Sequence, residues 1–202
     1  IKNELLPDVI KYCNNFYISF NEMFAGDLKM IMNSKKQNLK FIKNTITQIF
    51  LSISTFTTYS KYMHKDAHWG NFLYHNVQKG GYFYYKVNNI DIYLENIGFI
   101  WVIWDYGFAK KIKNKKIHRD YARIIHAFFS RSKGGWIPSN IKTDSKADNF
   151  ATNIYKELKN LSYNVELNKK KEVHKILFKL YPELLIKPKD NLIINEKPFI
   201  IE

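Results

Sequence analysis

The chain has 202 residues, a hydrophobic fraction of 46% and a formal net charge of +14. This length allows one large domain or two small ones with a hydrophobic core. The single cysteine, Cys13, excludes a disulfide framework and a cysteine-rich zinc site. No apolar run reaches the roughly 18 residues of a membrane span, and no secretory signal is visible, so we expect a non-secreted intracellular protein in a reducing compartment without a membrane partner.

The positive charge comes almost entirely from lysine. Three of the 32 basic residues are arginine, and the lysines are scattered along a chain that is rich in Asn and Ile. A nucleic-acid surface usually concentrates Arg and Lys on one face and places aromatic residues among them. The distribution here is more typical of a composition bias. We therefore do not expect a nucleic-acid partner, although the charge attracts anions, including nucleotides.

The pattern in chain order begins with a short strand and a long helix. Residues 16–20 are mostly aromatic and β-branched and predict a strand, which is followed by a turn at 25–27. Between residues 39 and 63 the apolar positions recur at steps of three and four, which predicts a long amphipathic helix. This helix is expected to run directly into His64.

Short strands and further helices complete the pattern. Aromatic and β-branched segments predict strands at 71–74, 82–87, 90–94 and 99–104. Helical periodicity returns at 119–129, 151–161 and 172–181. The Pro-containing tail, residues 185–202, is predicted to be irregular or extended. This order predicts an α+β fold that is mostly helical around a small antiparallel β cluster.

The segment between the long helix and the strands carries the chemistry. It places Asp66 in a loop, Asn71 five residues later, and Asp105 at the end of the last apolar strand. A loop Asp can accept the proton of an attacking hydroxyl. Asp and Asn oxygens are ligands that Mg²⁺ shares with substrate phosphates. The segment therefore predicts a phosphoryl-transfer site.

Two motifs in this segment resemble those of the protein-kinase-like superfamily. His64, Asp66 and Asn71 match H-x-D-x-x-x-x-N, and residues 105–107 match D-F-G with Tyr in place of Phe. The resemblance implies that Asp66 is the catalytic base and that His64 is a structural brace beside it. It implies Asn71 and Asp105 as ligands of Mg²⁺, or alternatively of Mn²⁺, and ATP as the phosphate donor.

The same resemblance divides the chain into two parts. Residues 1–28 correspond to a remnant of the small lobe with the hinge, and 29–202 to the large C-terminal lobe, with a hairpin insertion at about 79–98. The hinge residues expected near the nucleotide are Glu22, Met23, Phe24 and Asp27. Because no G-x-G-x-x-G precedes this hinge, we expect a fragment of a longer kinase, or alternatively a truncated, inactive relative.

One departure from the protein-kinase pattern leaves the substrate class open. His68 stands where protein kinases have a phosphate-facing Lys, and it is the third candidate for the catalytic group. Residues 64–71 thereby resemble the loop of aminoglycoside and choline kinases and of some atypical kinases. The Asn-Phe-Leu and Asp-Tyr-Gly segments resemble Ser/Thr protein kinases. We predict transfer to Ser or Thr of a protein, with a small-molecule kinase as the alternative.

Other hypotheses concern origin, metal and partners. The Lys, Asn and Ile bias with this loop resembles kinases of large DNA viruses, which would place the protein in the cytoplasm, a viral factory or the virion. His64, Asp66 and His68 also form an H-x-D-x-H pattern that could chelate Zn²⁺. An inactive scaffold that binds a partner through the aromatic hairpin is a further alternative. Asp120 is expected to be a solvated residue at a helix start, or alternatively a brace of the catalytic loop.

Overall fold

More residues of the described chain lie in helices than in strands, and the strands are short. The computed structural model describes residues 23–34, 37–112, 118–125, 145–160 and 169–201. The elements are β1 (Gly26–Asp27), α1 (Leu28–Ser34), α2 (Leu39–Ser60), β2 (Tyr62–Met63), β3 (Phe72–Asn76), β4 (Tyr82–Val87), β5 (Ile90–Glu95), β6 (Phe99–Ile103), β7 (Lys110–Lys111), α3 (His118–Ile125), α4 (Ser145–Asn160), α5 (Lys169–Leu180) and β8 (Phe199–Ile201). This content confirms the predicted α+β class.

The central helix, α2, begins where the apolar pattern predicts but ends earlier. The Asn38 side chain caps its start by accepting a hydrogen bond from Phe41 N. Lys61 ends it in the left-handed region with φ of 61°, and Lys61 N donates to Thr57 O. The prediction that the helix runs directly into His64 is therefore wrong, since β2 intervenes and pairs with β7.

The strands form three small sheets. The first has the order β1-β3-β6, the second pairs β2 with β7, and the third has the order β5-β4-β8. The hairpin β4–β5 lies within the predicted insertion, and its turn residues Asn88 and Asn89 both have positive φ, as a two-residue hairpin turn requires. Between the strands that the structure describes, all pairs are antiparallel except β4 with β8. Through this parallel pair the tail, which is predicted to be irregular or extended, contributes an extended strand to the sheet of the hairpin.

Polar side chains of α2 cover the free edge of β6. Gln48 Nε2 donates to Phe99 O at 2.9 Å, and Trp101 N donates to Gln48 Oε1 at 3.0 Å. These contacts satisfy backbone groups that a neighbouring strand would otherwise pair. The apolar stripe of α2 is buried in the same core as the inward side chains of β3 and β6, among them Phe72, Trp101 and Ile103. The end of β6, which leads to Asp105, is thereby held in place.

The helices that follow, α3, α4 and α5, confirm the three predicted helical segments, but their ends differ from the predicted ones. Both α4 and α5 begin before the predicted residues, because the polar first turn of an amphipathic helix adds little to its apolar period. The predicted strand at 16–20 and the end of the helix predicted at 119–129 lie outside the described residues. Within the described ranges, no helix has the length and apolar character needed to cross a membrane.

The tail strand β8 makes a testable contribution to stability. Ile201 is 3% exposed in the main core, whereas Ile200 is 52% exposed. We expect Ile201→Ala to lower the free energy of unfolding by about 2–4 kcal/mol, because the change leaves a cavity in the core. Ile200→Ala is the matched control, with an expected change below about 0.5 kcal/mol. Urea unfolding of the two variants measures the difference, and equal midpoints would contradict the packing described here.

Candidate active site

A tight turn brings Asp66 and Asn71 together. His68 Nδ1 accepts a hydrogen bond from Gly70 N at 3.0 Å and thereby caps the start of a short 3₁₀ helix, Trp69–Asn71. Asn71 Nδ2 then reaches back to donate to Asp66 O at 3.0 Å, and it lies 3.4 Å from Asp66 Oδ2. The spacing of five residues therefore places the amide beside the carboxylate through local contacts.

The end of β6 brings Asp105 to the same loop. Trp104 N donates to Asn71 O at 2.9 Å, which joins the residue before Asp105 to the predicted metal ligand of the loop. Asp105 itself has a φ of 58°, and its Oδ1 accepts a hydrogen bond from Gly107 N at 3.2 Å. Its side chain is thereby turned out of the strand direction and is exposed.

The side chain of His64 connects the Asp66 loop to the end of β6. Its ring is buried, its Nε2 donates to Trp104 O at 2.7 Å, and its Nδ1 accepts from Asp66 N at 3.3 Å. Both ring nitrogens are thus used within the protein, so the alternative zinc site with His64 as a ligand is wrong. Among the residues that the structure describes, no group of three or more His, Cys, Asp or Glu side chains is arranged to hold a metal.

The Tyr of the Asp-Tyr-Gly triplet has a fixed position. The Tyr106 ring stacks on Phe56 with centroids 5.0 Å apart, and its hydroxyl donates to Ile103 O at 2.7 Å. Burial raises the pKa of Tyr106, so the hydroxyl remains a donor at neutral pH. The extra oxygen relative to Phe is therefore accommodated by a hydrogen bond at the end of β6.

Asp120 braces the loop from helix α3. It is 4% exposed, its Oδ2 accepts from His64 N at 2.8 Å, and its Oδ1 accepts from Lys65 N at 3.0 Å. Burial raises its pKa, and the two backbone donors oppose that rise. The favoured expectation of a solvated residue at a helix start is therefore wrong, and the alternative of a brace is confirmed.

Two side chains flank the Asp66 carboxylate. Arg123 Nη2 lies 2.7 Å from Asp66 Oδ1, and His68 Nε2 lies 3.5 Å from Asp66 Oδ2. Burial lowers the pKa of His68, and the nearby Asp66 carboxylate opposes that shift. The Arg123 guanidinium is permanently charged. Arg123 belongs to neither sequence motif, although it is one of only three arginines and lies three residues after Asp120.

The described residues of the predicted hinge, Met23, Phe24 and Asp27, lie at the edge of the first sheet. Phe24 packs on His75 and Trp104 with ring centroids 4.5 Å and 5.9 Å apart, while Met23 is exposed. Asp27 Oδ1 accepts from Met30 N at 2.7 Å and caps α1. Glu22 lies outside the described residues. The nucleotide contacts predicted for these four residues stay predictions.

The donor set of the site suits a hard divalent cation. Nδ2 donates both hydrogen bonds of the Asn71 side chain, which leaves Oδ1 as an oxygen that can coordinate a metal ion. Asp105 adds an exposed carboxylate from the end of β6. Mg²⁺ prefers such oxygens and usually keeps several waters and substrate phosphates as its remaining ligands. Asn71 and Asp105 are the residues that would hold the cation.

Comparison with known proteins gives one family match. The family model described as the ABC1 atypical kinase-like domain matches residues 7–138, which is more than half of the 202 residues. No curated protein is significantly similar to the chain. The matched range includes the loop with Asp66 and Asn71, the triplet that begins at Asp105, and helix α3.

Proposed function

The chain belongs to the ABC1 atypical kinase-like family, and from that membership we propose that it is an active phosphotransferase. A member of this family is a kinase-like phosphotransferase or a pseudokinase. We favour the active enzyme because Asp66, Asn71 and Asp105 are all present. The proposed reaction moves the γ-phosphate of ATP to a hydroxyl, most specifically that of Ser or Thr in a protein substrate.

One observation supports this proposal above the others. The hydrogen bonds from Asn71 Nδ2 to Asp66 O and from Trp104 N to Asn71 O join the loop of Asp66 and Asn71 to the end of β6. A carboxylate that can accept a proton thus shares one site with two side chains whose oxygens suit Mg²⁺, and this supports the proposal of phosphoryl transfer.

The chemical step follows from the position of Asp66. The acceptor hydroxyl oxygen forms a bond to the γ-phosphorus, the bond to the bridging oxygen of ADP breaks, and the hydroxyl proton passes to the Asp66 carboxylate. Asn71 orients the Asp66 loop through its hydrogen bond at 3.0 Å. When Mg²⁺ is bound, it neutralises negative charge on the phosphates. His68 acts as a cap of the Trp69–Asn71 turn, because its Nδ1 is occupied by Gly70 N.

A phosphate-transfer assay tests the proposal. The complete gene product is incubated with Mg²⁺ and γ-labelled ATP, together with a generic basic protein or with small hydroxyl compounds such as aminoglycosides and choline. We expect label on protein Ser or Thr, and complete loss of transfer when EDTA removes the divalent metal. Mn²⁺ added after EDTA is expected to restore part of the activity.

Each result of the assay distinguishes the proposed functions. Label on a small molecule alone would support the alternative suggested by His68 and would reject the protein substrate. Absence of transfer to any acceptor, with binding of ATP absent in calorimetry, would reject an active enzyme and favour the pseudokinase scaffold. Transfer that persists in EDTA would contradict the role assigned to Asn71 and Asp105.

A further inference from the structure

Helix α3 presents two charged side chains to the Asp66 loop. Asp120 and Arg123 are three residues apart and therefore lie on the same face of the helix. Asp120 accepts hydrogen bonds from His64 N and Lys65 N. Arg123 Nη1 donates to Lys65 O at 2.9 Å, and its Nη2 pairs with Asp66 Oδ1 at 2.7 Å. The helix thus holds both polar groups of the Lys65 backbone and one oxygen of Asp66.

The conformation of Lys65 explains why such a hold is needed. Lys65 has a φ of 69°, in the left-handed region that residues other than Gly rarely adopt. A residue in this region keeps its conformation only when its surroundings fix it. Here the amide is fixed by Asp120 and the carbonyl by Arg123. The direction of the following residue, Asp66, therefore depends on contacts made by α3.

The two oxygens of Asp66 have different surroundings. Oδ1 is committed to Arg123, and the guanidinium reaches Lys65 O with its other nitrogen, so one planar group fixes two acceptors. Oδ2 faces His68 and Asn71 at 3.5 Å and 3.4 Å, which are longer contacts. Oδ2 is therefore the oxygen available to an acceptor hydroxyl.

From these contacts we propose that Arg123 is a positioning residue for phosphoryl transfer, which it serves by holding Asp66 Oδ1 and the Lys65 carbonyl so that Oδ2 points to the acceptor hydroxyl. This inference rests on the proposed function. It differs from an inhibitory role, in which Arg123 would occupy Asp66 and reduce the rate. Arg123 does not contact the reacting atoms, and its effect passes through Asp66.

Substitution of Arg123 in the complete gene product tests the inference. We expect Arg123→Gln to lower kcat by about 10²-fold, since a small misplacement of a catalytic group has an effect of this size. The KM for ATP is expected to change less than about twofold, because the nucleotide is predicted to contact the hinge residues and not α3. Arg123→Lys is expected to recover part of kcat, because an ammonium replaces the charge but not the planar fork. Arg119→Gln, an exposed arginine of the same helix, is the matched control.

Hydrogen exchange gives a second measurement that does not depend on activity. We expect the amides of residues 64–66 to exchange about tenfold faster in Arg123→Gln than in the unmodified protein or in Arg119→Gln, as the loop opens more often. Unchanged exchange and unchanged kcat would overturn the inference, and so would a higher kcat. A loss of kcat in Arg123→Gln that is accompanied by a lower unfolding midpoint would also overturn it, since this combination indicates a general structural role.

The two proposals fail in different ways. If the unmodified protein transfers no phosphate to any acceptor, the proposed function is rejected. Exchange of the residue 64–66 amides then decides whether Arg123 holds the loop at all. If transfer occurs and Arg123→Gln matches the unmodified protein in both measurements, the proposed function stands and the role of Arg123 is rejected.

Discussion

Replacement of Asp66 with Asn is expected to reduce phosphate transfer by about 10²- to 10⁴-fold, the contribution typical of a general base. Asn has the same shape as Asp, so the packing of the loop is kept, while the contact with Arg123 Nη2 loses its charge and the contact with Asn71 Nδ2 is already long at 3.4 Å. The loss should therefore appear in kcat, while the KM for ATP and the unfolding midpoint remain close to those of the unmodified protein.

The control for this change is Asp91→Asn. Asp91 lies on the hairpin strand β5, where it accepts a hydrogen bond from the Tyr84 hydroxyl at 3.0 Å and faces Lys86 at 3.6 Å. The same chemical change at this surface should leave kcat unaltered. Turnover that survives Asp66→Asn would disprove the assigned role of Asp66, and a loss that is equal in both variants would show a non-specific cause.

The second large effect concerns stability and is expected for Asp120→Asn. The buried carboxylate accepts hydrogen bonds from two backbone amides, whereas an Asn side chain has one oxygen and one NH₂ group. One of the two backbone N–H groups would then face the NH₂ group of Asn instead of an acceptor. We expect the free energy of unfolding to fall by about 2–3 kcal/mol. Urea denaturation measures this change. We also expect a lower kcat, because the Asp66 loop loses part of its support.

Asp190→Asn provides the comparison for Asp120. Asp190 has a side chain that is 82% exposed and pairs with Lys187 at 2.7 Å. Ion pairs of this kind contribute little, so its variant should unfold within about 0.5 kcal/mol of the unmodified protein. If Asp120→Asn were equally harmless, the brace between α3 and the loop would be without energetic importance, and its assignment here would be wrong.

The sequence predicts the parts of the site that depend on local contacts. The hydrogen bonds among His64, Asp66, His68 and Asn71 join residues two to five positions apart, so a motif of fixed spacing contains most of their geometry. The strand before Asp105 is equally local, because its aromatic and β-branched residues predict it directly. These features of the site each lie within a short segment whose residue pattern predicts them.

The contacts that the sequence does not decide are those between distant residues. Asp120 and His64 are 56 positions apart, and a charged residue in the first turn of a helix has the same sequence signature whether it is solvated or buried. Arg123 gives no signal of its own except its rarity in a lysine-rich chain. The end of α2 was missed because Lys61 adopts a left-handed conformation that Gly or Asn more often indicates.

The parallel pairing of β8 with β4 has a consequence for folding of the chain during its synthesis on the ribosome. Tyr84 exchanges hydrogen bonds with the side chain of Asn195, 111 residues further along, and the register continues to Val87 opposite Ile201. During translation the hairpin therefore emerges long before its third strand exists. For that interval the outer edge of β4, with its row of tyrosines, is open to pairing with another nascent chain. Synthesis of the tail ends this exposure.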